Sequence, residues 1–146
     1  MRCGLIISLC LLFISYSCED PVTTNIPEKK PWTWFYYANA DNNLESDILF
    51  NDLWELRDAY ESIHNEINIL VLIDRSNKYS DDTNIFGMDF NDTGLFLLTP
   101  GSFKRILCDS FPDGLEANMG DANVLKLFLS YGKTNYPAEK YALILH

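Results

Sequence analysis

Three apolar runs, each free of interrupting charge, punctuate this chain, and the stretches between them have helical periodicity or turn chemistry. The first run, Trp32–Ala38 (WTWFYYA), is rich in aromatic residues that favour a pleated, covered strand. The second, Ile67–Asp74 (INILVLID), is almost entirely aliphatic, and the third is Tyr141–Leu145 (YALIL). None of them alternates with polar residues, so both faces of each strand are expected to be covered, as in a parallel sheet. Between the first two runs, Asn43–Ile63 places Leu44, Ile48, Leu53, Leu56, Tyr60 and Ile63 at three- to five-residue steps, an apolar stripe on a helix. Glu45, Asp47, Asp52, Glu55, Arg57 and Asp58 fall mostly on the other side and read as solvated. Strand, helix and strand in this order make a right-handed crossover unit.

Local chemistry punctuates these elements. Asn39-Ala40-Asp41-Asn42 is a polar turn, in which Asn42 suits an N-cap and Glu45 completes a capping-box-like pair. Asp74 and Arg75 are expected at the same sheet edge as Asn39 and Asp41, the carboxyl edge where open α/β sheets build their sites. Ser76–Thr83 reads as a polar loop. Asn84–Thr99 reads as a hairpin turning at Asn91-Asp92-Thr93-Gly94, and Pro100–Gly120 as a long loop with a helical turn near Phe103–Cys108. Asp121 caps a helix over Ala122–Tyr131, with Val124, Leu125, Phe128 and Leu129 as its stripe and Gly132 and Pro137 as its stop. The expected class is α/β: a mostly parallel sheet with flanking helices and a β-hairpin.

The first residues follow a different pattern. Met1-Arg2 and the ten-residue apolar run Leu5–Ile14 form a leader too short to span a bilayer. Ile14-Ser15-Tyr16-Ser17-Cys18 resembles a bacterial lipoprotein signal with a relaxed lipobox, which makes residues 1–17 a signal peptide and Cys18 the lipidated residue. Residues 18–31, with three prolines, read as a tether, and residues 32–146 as the domain. The expected location is the bacterial cell envelope, by lipid anchor, or the medium. Of four cysteines, Cys3 and Cys10 depart with the leader and Cys18 carries lipid, which leaves Cys108 without a disulfide partner.

Charge and motifs narrow the chemistry. Eleven basic against 21 acidic residues give a formal net charge of −10, which disfavours nucleic acid and attracts Lys/Arg-rich peptides. Asp89–Gly94 meets the first half of a calcium-loop pattern, but Pro100 stands where the bidentate Glu belongs. Asn91-Asp92-Thr93 is formally a glycosylation sequon, a use that a bacterial leader argues against. Cys108 reads as a small packing residue, and His64, at a helix end, as a group suited to the helix dipole.

YANADNNLE after an aromatic strand, the aliphatic strand closing on Asp74-Arg75, Asn118-Met119-Gly120-Asp121 at a helix start, and Asn135-Tyr136-Pro137 before YALIL together resemble the clostripain family of cysteine peptidases. That resemblance, over about Trp32–His146, implies a caspase-like (caspase–hemoglobinase) fold, present in part. It also implies cleavage after Arg or Lys, self-cleavage into light and heavy chains, and a possible calcium dependence. On this reading the sequence is a light-chain portion truncated on its carboxyl side, inactive alone and partnered by its own heavy-chain portion. The family's histidine follows the strand corresponding to YALIL and its cysteine follows the next strand. The family usually places one or two residues between that strand and its His-Gly, whereas His146 follows Leu145 directly; His146 is either the catalytic base or occupies a position just before it, and the nucleophile and S1 residues lie beyond the chain. Asn39, Asp41, Asn42 and Asn43 match the family's first block, where they either shape a cleft or bond the turn. Asp74 either orients a site residue or bonds its own loop. A non-catalytic envelope lipoprotein that keeps the fold as a binding module is the alternative.

Overall fold

The computed structural model describes residues 27–45, 48–76, 78–79, 84–85 and 88–146. The leader, Cys18, most of the tether, Asp47 and much of the loop after Arg75 lie outside the described residues. In chain order the strands are β1 (Lys30–Asn39), β2 (Ile67–Asp74), the two-residue β3 (Asn84–Ile85) and β4 (Met88–Asp89), β5 (Thr93–Thr99), β6 (Ser102–Ile106) and β7 (Ala138–Leu145). A π-helical turn, Ile48–Asp52, leads into helix α1 (Leu53–Ile63), and helix α2 spans Ala122–Asn135.

The main sheet has the order β6-β5-β2-β1-β7. β1 lies parallel to both β2 and β7, while β5 runs antiparallel to β2 and to β6. Four of the five strands therefore point the same way, and the mostly parallel α/β reading holds. All eight residues of β2 are buried, the outcome its near-continuous aliphatic run requires at the centre of a covered sheet.

Alternate side chains feed two cores. Tyr36, Ala38, Ile69, Val71 and Ile73 meet Ile48, Leu53 and Tyr60 on the α1 face. Phe35, Tyr37, Leu70, Leu72 and Leu95 meet Phe128 on the α2 face. Phe35 and Phe128 pack edge-on, with ring centroids 5.3 Å apart.

Several sequence expectations need correction. Asn91–Gly94 does not form a turn: Thr93 and Gly94 open β5, and a Cβ on Gly94 would overlap the Phe96 ring. The long hairpin instead joins β5 to β6 and turns at Gly101, whose φ of 72° suits glycine. Phe103–Cys108 is not helical, because Ser102-Phe103-Lys104 alternates with a period of two and buries Phe103 in the sheet. Gly132 does not stop α2. It lies buried within the helix, where a Cβ would overlap the Phe35 ring, and the helix runs on to Asn135 before Pro137. β7 begins at Ala138, three residues ahead of the aliphatic run. Leu44 and Ile63 are exposed at the two ends of the predicted stripe.

Glu45 is the largest reversal. It is fully buried rather than solvated, and its carboxylate takes the Arg75 guanidinium Nε at 2.6 Å. The capping box is half made: Asn42 Oδ1 accepts the Leu44 N–H at 2.8 Å, while Glu45 turns inward. Arg75 also donates to the Phe90 carbonyl at 2.8 Å and lies over the Phe90 ring. The pair ties the turn after β1 to the end of β2.

β6 and β7 form the two edges of the described sheet. β6 is short and carries Lys104 and Arg105. β7 has eight residues and exposes Tyr141, Leu143 and Leu145 on one face, Leu145 to 64%.

Candidate active site

Parallel pairing makes β1, β2 and β7 finish together. Asn39 stands beside Asp74, and Tyr37 beside Leu145. Past the last ladder pairs, the Asn39 N–H donates to the His146 carbonyl at 3.2 Å and the His146 N–H to the Tyr37 carbonyl at 3.0 Å. The Ala40 N–H donates to the Asp74 carbonyl at 2.9 Å. Three strand ends thus form one rim.

A cleft of about 420 Å³ opens at this rim between the end of β7 and the start of α2, with Tyr37, Asn39, Met119, Asp121, Leu125 and His146 among its walls. Asp121 is the N-cap of α2 and accepts the Asn123 N–H at 2.8 Å. Tyr37 donates its hydroxyl to the Met119 carbonyl at 2.9 Å, which holds the segment before α2 against the sheet. Burial, then the Asp74 and Asp121 charges, push the Tyr37 phenol above its ordinary range.

The candidate residues divide by environment. Asn39 is exposed and lines the cleft. Asn42 is occupied with the turn: its Nδ2 donates to the Asn39 carbonyl at 2.6 Å while its Oδ1 caps Leu44. Asp41 and Asn43 are exposed on the same loop. Asp74 is buried and accepts the Thr93 hydroxyl. Burial raises the Asp74 carboxyl above the ordinary carboxylate range. The Thr93 hydrogen bond opposes that rise, and the Glu116, Asp41 and Asp92 charges add to it. Thr93 also accepts the Ala117 N–H at 2.8 Å, so Asp74 is linked to the loop ahead of α2.

His146 reaches the α1 face of the sheet. Its Nε2 lies 3.5 Å from Asp52 Oδ2, and its ring stacks 6.4 Å from the Tyr36 ring. Tyr36 donates its hydroxyl to the same Oδ2 at 2.9 Å. Burial, then the Asp52 hydrogen bond and charge, drive the Tyr36 phenol far above its ordinary range. Sequence reasoning placed Asp52 on the solvated side of a helix and gave Tyr36 no site role. The one trace of the arrangement is the five-residue step from Ile48 to Leu53, the spacing a π turn imposes.

Cys108 is remote from His146. It follows β6, forms a bridge with Phe111 and packs against the α2-face core. The strands carrying Cys108 and His146 stand four spacings apart, about 19 Å. His64 sits at the opposite edge of the sheet, where its backbone carbonyl receives the Lys30 ammonium. Among the described residues, no three His, Cys, Asp or Glu side chains converge as a metal site. Asp92 of the half calcium pattern is committed to Arg105 at 2.6 Å and to the Gly114 N–H at 2.6 Å.

A model of the clostripain family (Peptidase C11) matches residues 36–146. Clostripain of Hathewaya histolytica is 43% identical over 119 residues, covering 77% of this chain and 22% of that protein, so the chain spans about a fifth of that relative's length. A B. fragilis cysteine protease superposes with a TM-score of 0.56 at 25% identity, covering 79% of this chain and 86% of that chain. A clostripain from Bacteroides thetaiotaomicron ATCC 29148, solved in complex with the peptide inhibitor BTN-VLTK-AOMK, shares the fold with a TM-score of 0.55 at 16% identity, covering 82% and 90%.

Proposed function

The chain belongs to the clostripain family, and from that premise we propose that it is the histidine-bearing portion of a cysteine endopeptidase that cleaves after Arg or Lys. The observation that carries this reading is the common rim: three parallel strands end together, with a cleft on the α2 side of the rim and the His146 imidazole on its α1 side. The nucleophilic cysteine comes from a heavy-chain portion outside residues 1–146, since Cys108 follows a strand about 19 Å from β7.

In the reaction, the imidazole takes the thiol proton and the thiolate attacks the carbonyl carbon after the basic residue. Backbone N–H groups hold the oxyanion, and the imidazolium gives its proton to the leaving amine as the C–N bond breaks. Water then releases the acyl group. The acidic balance of the chain, −10, favours the approach of basic peptides.

Cys18 is proposed to carry a lipid anchor. β1 enters at the amino edge of the sheet and needs ten residues, about 33 Å, to reach the rim. A tether ahead of Lys30 therefore leaves from the end of the sheet opposite the cleft. Mass analysis of the mature N-terminal peptide should find an acylated Cys18, and an unmodified peptide would remove the anchor from the reading.

The peptidase reading is tested with an Arg-amide substrate. The full-length gene product should turn it over and lose activity on thiol alkylation, while residues 1–146 alone should not. Turnover by residues 1–146 that disappears in Cys108→Ala would refute the assignment of the nucleophile. A full-length product with no turnover would favour a binding module.

A further inference from the structure

The two ends of the sheet differ in charge. The rim gathers Asp41, Asp74, Asp92, Glu116 and Asp121, and the nearby Arg75 and Arg105 are already paired with Glu45 and Asp92. At the opposite end, where β1, β2 and β7 begin, Lys29, Lys30, Lys133 and Lys140 balance Glu28, Glu61, Glu66 and Glu139. A chain of net charge −10 therefore has one end with no excess of acid. That end also carries aromatic rings beneath ammonium groups. Trp32 is 37% exposed, pairs with Ile67 on one side and Lys140 on the other, and has the Lys140 Nζ 5.3 Å from its ring centroid. The Lys133 Nζ stands 5.4 Å over the exposed Tyr141 ring, and the exposed Ile63 closes α1 at the same end. The Lys30 ammonium, by contrast, turns inward to the His64 and Ile67 carbonyls.

Exposed Trp and Tyr rings with lysines alongside suit the boundary between water and lipid headgroups. The amphipathic ring prefers that boundary, and the lysine stem lies along apolar surface while its charge reaches a phosphate. The attachment point delivers this end to such a boundary. Eleven residues, 19–29, separate Cys18 from β1. A segment of that length reaches at most about 40 Å fully extended and about 20 Å as a flexible coil. The ten residues of β1 set the rim about 33 Å further on. We propose that the amino end of the sheet, centred on Trp32 and Lys140, is a bilayer-facing surface that rests on phospholipid headgroups and keeps the cleft turned away from the membrane. This rests on the acylation of Cys18 proposed above. The charge asymmetry acts in the same sense, since anionic headgroups repel the acidic rim and spare the balanced end. The molecule then stands upright on its tether, and peptides reach the cleft from the solvent.

The test uses the mature full-length gene product, acylated and bound to vesicles of phosphatidylglycerol and phosphatidylethanolamine. Its Cys18→Ser form, free in solution, is the reference. Lysines are acetylated with a membrane-impermeant reagent, tryptophans are oxidised by hydroxyl radicals, and mass spectrometry reads both. On vesicles, labelling of Lys140 and Trp32 should fall at least about fivefold, while the exposed Lys78, past the rim end of β2, keeps its rate. Lys140→Glu should return Trp32 oxidation most of the way to the free value and leave Arg-amide turnover in solution unchanged. Trp32→Ser should do the same for Lys140 acetylation. Protein that carries no acyl group at Cys18 and stays off the vesicles would remove the anchor and this surface with it. Acylated, vesicle-bound protein in which Lys140 and Trp32 label as fast as in the free form would overturn the surface alone. So would equal protection of Lys78 and Lys140, the mark of a molecule with no preferred end toward the bilayer.

Discussion

Replacing Glu45 by alanine should destabilise the fold more than removing any surface charge. Glu45 is fully buried and Arg75 is 3% exposed, with 2.6 Å between the bonded atoms. At an effective dielectric near 20, unit charges about 4 Å apart attract by about 4 kcal/mol. Desolvation of both groups offsets much of that gain while the pair is intact. Once Glu45 is gone, Arg75 keeps its desolvation cost and loses the Glu45 carboxylate, and loss of one partner from a buried pair costs roughly 3–5 kcal/mol. Arg57→Ala breaks the exposed Arg57–Asp58 contact, and there the expectation is under about 1 kcal/mol. Urea unfolding followed by circular dichroism measures both. The double variant Glu45→Leu/Arg75→Met removes both charges and should cost less than Glu45→Ala alone. Its remaining penalty, about 1–3 kcal/mol, includes that of the Phe90 carbonyl, which loses the Arg75 donor. If Glu45→Ala costs less than about 1 kcal/mol, or if the double variant costs as much as Glu45→Ala alone, the burial argument is wrong.

Three further outcomes follow from described contacts. Gly132→Ala should gain about 1 kcal/mol of helix propensity yet lose more through overlap with Phe35, for a net destabilisation of about 1–3 kcal/mol in the same unfolding assay. The Asp74 carboxyl titrates above its unfolded value of 3.8, so its contribution to stability is fully present below pH 3.8 and is lost as pH rises through the folded value. Asp74→Asn should therefore raise the melting temperature at neutral pH and flatten that decline, and an unchanged pH profile of melting would contradict the burial of an ionised Asp74. Asp52→Asn should lower the Tyr36 phenol titration by removing a charge, while burial still holds it above 10, as ultraviolet difference titration can follow.

How much the sequence disclosed depends on whether the deciding contact is local. The strand β2 was legible because six aliphatic residues among eight, five of them consecutive, fit a strand covered on both faces. The common rim followed from it, since parallel strands joined by helices must end together. β6 was not legible: five residues between a glycine turn and an irregular segment carry little periodic signal, and only Phe103 among them is fully buried. Glu45 was misplaced because helical spacing cannot reveal a cation thirty residues away. The Asp52–Tyr36 contact was hidden for a related reason, since a π turn shifts every later side chain relative to an ideal helix. Gly132 shows the converse. The residue that commonly ends helices serves here to let α2 approach β1 closely.

The two flanks of the sheet are built for opposite fates. On β6, brevity and the exposed Lys104 work against an incoming strand, a usual guard against edge-to-edge stacking, while Arg105 is paired with Asp92. On β7, eight residues offer an open backbone ladder, and Tyr141, Leu143 and Leu145 lie bare alongside it. Produced on its own, this polypeptide should present that apolar row to other chains. A single lysine at Leu143, the midpoint of that greasy row, should do more for its solubility than any change on the far flank.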